Sequence, residues 1–211
     1  MYTPRAFAVN DPAALDALFA RDPFVTLITV ADGEPRITHL PVLYRRVGDD
    51  ILIEGHWARP NPQAGTSGQA TMIVHGPHAY VSPSWYADKA EQVRVPTWDY
   101  ATAHLHGELE AITDEATLLD IVGRLATHFE STVGGDWRLD PDNPAERVQI
   151  RGIIGLRFRP RRIEITHKLN QNHPEANRRG VAARLAVSPL EREREIGAMM
   201  FATLDTPSQE T

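Results

Sequence analysis

The stretch FVTLITVADGEPRITHLPVLYRRVGDDILIEGHW, Phe24–Trp57, reads as short strands joined by tight turns. Phe24–Val30 is β-branched and apolar on both faces, the pattern of a central strand covered from two sides. Ala31-Asp32-Gly33-Glu34 carries Asp-Gly, a strong hairpin signal because both central positions of the turn tolerate positive φ. Ile37–Val47 is a second strand, interrupted by Pro41; the missing N–H predicts a bulge or a switch to a sheet edge. Gly48-Asp49-Asp50 then turns the chain into Ile51–Trp57. Turns this short leave no room for crossover helices, so the three strands are expected to form an antiparallel meander.

Outward from this block, Asn10 or Asp11 caps a short helix with Pro12 in its first turn, Ala13–Arg21, whose Leu15, Leu18 and Phe19 form an apolar stripe. Ala58–Gly68 is a loop rich in Pro, Asn, Gly and Ser. Ala70–Val74 is a fourth strand, broken at Gly76-Pro77 and resumed over Ala79–Ser82. Thr97–Ile112 is long and strand-like. Asp114–Glu130 is a helix with Leu118, Ile121, Val122, Leu125 and Phe129 on one face. Ala145–Arg151 is a short helix, and Ile153–Thr166 returns to strand. Glu175–Leu185 and Leu190–Thr203 read as terminal helices, and Asp205–Thr211 is expected to fray. Six strands and these helices predict a mainly β fold, an antiparallel barrel with peripheral α-helices. A domain over 1–187 and a C-terminal helical extension over 188–211 are expected.

The chain has 211 residues, 42% hydrophobic and 24% charged, which is ordinary globular composition. Its 22 basic and 28 acidic residues give a net charge of −6, a poor balance for sequence-independent DNA binding. Direct DNA contact is therefore not expected. With no cysteine, disulfides, thiol catalysis and cysteine-ligated metal sites are excluded. Met1–Asn10 lacks the apolar core of a secretory signal and no apolar run is long enough to span a bilayer, so a cytoplasmic protein is expected. Lysine stands only at Lys89 and Lys168 among 22 basic residues. Either these are chance survivors in an arginine-rich chain, or a compact ammonium is needed there.

Polar and aromatic residues gather in Pro-flanked loops: Thr38–Pro41, Gly55–Gln63, Gly76–Tyr86, Val95–Tyr100 and His167–Asn172. Large aromatics stay in loops when they are buried or bind something. Rings offer stacking area, Arg and Lys bind phosphate, and amides read ring edges, so these loops suit a planar ligand with an anionic tail. GxGxxG, GxxxxGK[ST] and GxSxG are all absent, which removes Rossmann, P-loop and α/β-hydrolase readings. His104, His106 and Glu108 alternate onto one strand face; they either hold a divalent metal or form a hydrogen-bonded face. Arg157, Arg159, Arg161 and Arg162 are the dense basic stretch; it touches nucleic acid or an acidic neighbour, or, as the preferred reading, it is a solvated edge strand that discourages aggregation.

At these loops the chain resembles the PaiB-like FMN-binding negative transcriptional regulators. The resemblance rests on Met1-Tyr2-x-Pro4, Thr38-His39-Leu40-Pro41, His56-x-Ala58-Arg59-x-Asn61-Pro62-Gln63, Gly76–Tyr86, Val95-Pro96-Thr97-Trp98-x-Tyr100 with His104, and Lys168-x-x-Gln171-Asn172 with Ala182. It covers Met1 to about Leu185; Ser188–Thr211 has no evident counterpart. Ala64 and Asn170 depart from the family's usual aromatic and Ser. The resemblance implies a flavin-reductase-like split β-barrel, a homodimer with FMN between subunits, and a regulatory or flavin-sensing role. An FMN-dependent oxidoreductase or haem-processing enzyme is the alternative, and a metal-dependent enzyme built on His104, His106 and Glu108 a third. On this reading Arg59 and Lys168 hold the phosphate, and Asn61, Gln63 and Ser82 add neutral hydrogen bonds. Trp85, Tyr86 and Trp98 line the ring, Gln171 and Asn172 reach ring or ribityl atoms, and His39 and His56 assist electrostatically or serve as structural histidines.

Overall fold

The computed structural model describes residues 2–205; the fraying expected of the tail falls, past Asp205, outside them. Eight strands and five α-helices follow one another as β1 (Ala8–Val9), α1 (Pro12–Arg21), β2 (Phe24–Ala31), β3 (Glu34–Pro41), β4 (Leu43–Val47), β5 (Asp50–Ala58), β6 (Gly68–Val81), β7 (Thr97–Ile112), α2 (Glu115–Val133), α3 (Pro144–Ile150), β8 (Ile153–Lys168), α4 (Glu175–Ala186) and α5 (Glu191–Asp205). The chain divides into two compact units. A barrel unit is built from Asp16–Val74 and His104–Ile163; a helical unit comprises, among the described residues, those up to Leu15, His75–Ala103 and those from Glu164 to Asp205.

In the barrel unit the strands lie in the order β3-β2-β6-β7-β8-β5-β4. The expected meander resolves into two antiparallel hairpins, β2–β3 and β4–β5, at opposite ends of that order. Asp32 and Gly33, at φ 55° and 80°, make the first turn, as the Asp-Gly pair foretold. The switch to an edge happens at Pro41: β3 ends there, buried Val42 donates its N–H to the carbonyl of Pro23 at 3.1 Å, and β4 leaves for the other edge. Gly55 on β5 stands against this corner. A Cβ there would lie 3.1 Å from Leu40 Cδ1 and 3.1 Å from the Pro41 carbonyl oxygen, tighter than ordinary packing, so a side chain at this position would press the corner outward.

Two further expectations are corrected. Gly76-Pro77 does not break the fourth strand, because β6 runs unbroken from Gly68 to Val81. The fixed φ of proline lies within the extended region, so it can continue a strand where its N–H is not required. Nor is the arginine-rich strand an edge, since β8 lies between β7 and β5. Its Arg157 donates Nε and Nη2 to Glu54 Oε1 at 3.1 and 2.9 Å, and Arg124 of α2 reaches Glu54 Oε2 at 2.7 Å. Glu54 is buried, so two guanidiniums supply what water cannot. Arg157 thus serves an internal ion pair, while Arg159, Arg161 and Arg162 are exposed.

Helix α2 closes one side of the barrel unit. The Asp114 carboxylate accepts from the Thr117 N–H at 2.9 Å, and Gly134, at φ 73°, ends the helix in the left-handed region. Its Ile121 and Leu125 form a core with Ile112, flanked by Leu43 and Phe129. In the helical unit, Val181, Ala182 and Leu185 of α4 pack with Ile196 and Met200 of α5 around Ala79, Val81, Tyr86 and Leu169. Full burial of each large apolar side chain here contributes about 1.5–3 kcal/mol.

Candidate functional site

The barrel unit carries five of the residues singled out above. Asn61 donates Nδ2 to Thr38 Oγ1 at 3.0 Å and accepts the Gln63 N–H on Oδ1 at 2.8 Å, folding the loop after β5 into an Asx turn. Gln63 is buried, and its Nε2 donates to Thr29 Oγ1 and to the Arg36 carbonyl, both at 3.0 Å. Arg59 donates Nε to the Arg151 carbonyl at 2.6 Å and Nη2 to that of Ile153 at 3.0 Å, leaving Nη1 over. His39 is exposed on β3, with Nδ1 2.9 Å from Thr26 Oγ1. Among the described residues the buried Nδ1 of His56 has no hydrogen-bond partner, and burial pulls the imidazole below its usual pKa, which keeps it neutral.

Seven lie in the helical unit. Ser82 caps the turn Pro83–Trp85, accepting from the Ser84 N–H at 3.2 Å. Trp85 packs against the α4–α5 core. Tyr86 is buried, its ring stacked on His173 with centroids 4.8 Å apart and the Arg94 guanidinium 5.7 Å away; burial raises the phenol pKa. Arg94 in turn is ion-paired with Asp88, whose carboxyl falls to about 2 because that guanidinium binds it, and Asp88 also accepts from Asn177 Nδ2 at 2.9 Å. Trp98 is 52% exposed and meets His78 and Tyr80 at centroid distances of 5.8 and 6.1 Å. It is thus grouped with those two rings and not with Tyr86.

Lys168 donates to Thr97 Oγ1 at 2.5 Å and to the Trp98 carbonyl, and lies 3.5 Å from Asp99. Its ammonium thereby fixes the strand start that carries Trp98. Gln171 closes its own turn, accepting the Leu169 N–H at 2.7 Å and donating to the His167 carbonyl at 2.5 Å. Asn172 is exposed. Lys89 donates to the Ser84 carbonyl at 2.7 Å.

Asp99 escaped the sequence reading. Its carboxyl is fully buried, and desolvation lifts its pKa to about 6 against the pull of Lys168. The signal was a carboxylate placed at the inward position between Trp98 and Tyr100. On β7, His106 Nδ1 lies 3.0 Å from Thr71 Oγ1, and Glu108 accepts from Gln69 Nε2.

Residues 1–162 match the model of a family described as "Putative FMN-binding domain". The chain belongs to this FMN-binding family. The protease synthase and sporulation protein PAI 2 of Bacillus subtilis strain 168 is 29% identical over 212 residues, covering 97% of this chain and 96% of that protein. That coverage takes in most of the C-terminal stretch for which no counterpart was evident. The flavocytochrome Anf3 of Azotobacter vinelandii is 18% identical with a TM-score of 0.54, over 76% of this chain and 69% of that one. The FAD and heme binding protein of Mycobacterium smegmatis is 20% identical with a TM-score of 0.52, over 83% of this chain and 79% of that one. At such identities the likeness concerns fold, and the fold is the split-barrel type found in flavoproteins. No helix among the described residues is long and apolar enough to cross a membrane.

Taken residue by residue, each within its own unit, this FMN-binding family member offers groups of the kinds an FMN would require. A phosphate needs an unspent cationic donor, and Arg59 Nη1 is one. A ring edge needs a polar atom kept from water, and His56 Nδ1 is buried without a partner. A ring face needs open aromatic surface, and Trp98 provides it.

Proposed function

We propose that this chain is an FMN-binding protein of the PaiB type, acting as a regulator or flavin-dependent sensor. The observation that carries the reading is the FMN-binding family match over residues 1–162, joined to a relative named for protease synthesis and sporulation that aligns with 97% of the chain. The net charge of −6 and the engagement of Arg157 with Glu54 argue that any regulation works through the flavin or a metabolite rather than by direct DNA contact.

Arg59 is the phosphate cation in this proposal, His56 and Asn172 meet polar flavin atoms, and Trp98 supplies a stacking face. Asn61, Gln63, Ser82 and Gln171 spend their hydrogen bonds holding the loops; Lys168 holds the strand that presents Trp98; Trp85 and Tyr86 back the loop between β6 and β7, and His39 adds its dipole. A homodimer with the flavin at the subunit seam belongs to the same proposal, since exposed Trp98 and Tyr80 are large apolar surfaces that a ligand and a second copy would cover. Bound flavin supplies electron-transfer chemistry, and the protein's part is position and electrostatics.

The purified protein is expected to be yellow, with flavin released on denaturation identified as FMN. Arg59→Ala should weaken FMN binding at least tenfold, the loss of one charge-assisted contact. A colourless protein that takes up no added FMN refutes the proposal, and unchanged affinity in the variant refutes the phosphate assignment. Rapid anaerobic bleaching of the flavin by NAD(P)H would move the protein to the oxidoreductase alternative.

A further inference from the structure

A groove of about 630 Å³ opens on the barrel unit; its lining includes Thr29, which accepts from Gln63 Nε2 at 3.0 Å, but none of the residues proposed to touch the flavin. Its wall is Ile28, Val30 and Ala70; its rim carries Thr66, Ser67, Thr71 and His106; Arg161 and Arg162 close one end. The volume lies inside the range of small-molecule sites, roughly 300–1,000 Å³. Every lining side chain with a formal charge is a guanidinium, although the chain as a whole carries −6. A groove that collects cations in an acidic protein is selective for anions.

The donors are unevenly committed. Among the described residues Arg161 makes no hydrogen bond or ion pair, so its planar fork is free to take an oxyanion on two N–H groups. Ser67 Oγ accepts the Ala111 N–H at 2.9 Å, which leaves its own O–H to donate. Gln69 is spent on Glu108, which takes the nearby carboxylate out of competition. The same Arg161 borders a second groove holding Asp49 and Asp50, and it pairs with neither. The arginine stretch of β8 therefore splits in role: Arg157 serves the internal Glu54, while Arg161 faces outward unspent.

We propose that this groove binds a small organic anion, with its phosphate or carboxylate on Arg161 and Arg162 and its apolar body against Ile28, Val30 and Ala70. The site is separate from the flavin seat and gives the protein a second ligand, a substrate or effector of that chemistry.

The test is calorimetric titration of the flavin-loaded protein with phenyl phosphate, inorganic phosphate and phenol, and with benzoate in place of phenyl phosphate to compare the two anionic heads. Phenyl phosphate or benzoate is expected to bind saturably, inorganic phosphate more weakly and phenol not at all. Arg161→Ala should weaken that binding about tenfold or more, while leaving flavin content and melting temperature unchanged because the side chain is exposed and unpaired. Arg59→Ala should leave it intact. Equal binding of phenol, no saturation by either anion at millimolar concentration, or unchanged affinity in Arg161→Ala overturns the proposal. Release of FMN by phenyl phosphate, or loss of FMN in Arg161→Ala, also overturns it, because the groove would then be the flavin's own phosphate seat.

Discussion

A single carboxyl shows how a residue's surroundings set its chemistry. Asp99 is fully buried, with Lys168 at 3.5 Å and the Tyr86 phenol among the groups it feels. Burial lifts its pKa from 3.8 to about 6, with Lys168 opposing. Between those values the folded chain holds a proton that the unfolded chain has released. Stability from this group is therefore present below pH 3.8 and is lost as pH rises to about 6. The change amounts to roughly 2–3 kcal/mol. Urea melts from pH 4 to 7 should show this decline in the wild type and a flatter profile in Asp99→Asn. A parallel pH profile in the two proteins would contradict the assignment.

At the scale of elements, the sequence announced most of what the structure contains. Periodicity placed α2, α4 and α5 to within a few residues, and Asp32-Gly33 announced its hairpin because that turn has a strict backbone demand. The partner of each hairpin was not legible, since β2 and β5 find β6 and β8 through long-range packing that local pattern does not encode. The site shows the same division. Residue types pointed to loops able to hold a flat anion, whereas the engagement of Lys168 and Gln63 within the fold depends on carbonyls brought near by topology. Close approach was hidden as well. A Cβ on Gly107 of β7 would sit 2.1 Å from the Arg159 carbonyl oxygen, a contact with backbone that cannot swing aside. Gly107→Ala is expected to destabilise the protein by about 1–3 kcal/mol, read as a lower denaturation midpoint. A neutral effect would mean that the two strands are further apart than they are here.

On the scale of the whole molecule, the C-terminal helix is part of a core. Ile196 and Met200 are fully buried against Val181, Ala182 and Leu185, and a Cβ on Gly197 would meet the Ala186 nitrogen at 3.0 Å. Met200→Ala should cost about 2–5 kcal/mol, the range for emptying such a site. If that variant melts like the wild type, α5 contributes no packing of consequence. Its cost would also be felt at the flavin, because Tyr86 belongs to the same apolar cluster.

The corner at Val42 bears on how the chain finds its fold. Each of the hairpins on either side closes over a few residues, so both can form early and independently. Their assembly waits on β8: Glu54 meets Arg157 across 103 positions of sequence. Ordering that long loop precedes any reward from the contact, so joining β5 to β8 costs more chain entropy than closing either hairpin. Until it happens, a nascent chain carries two finished ribbons hinged at one valine, with an unpaired strand edge on each.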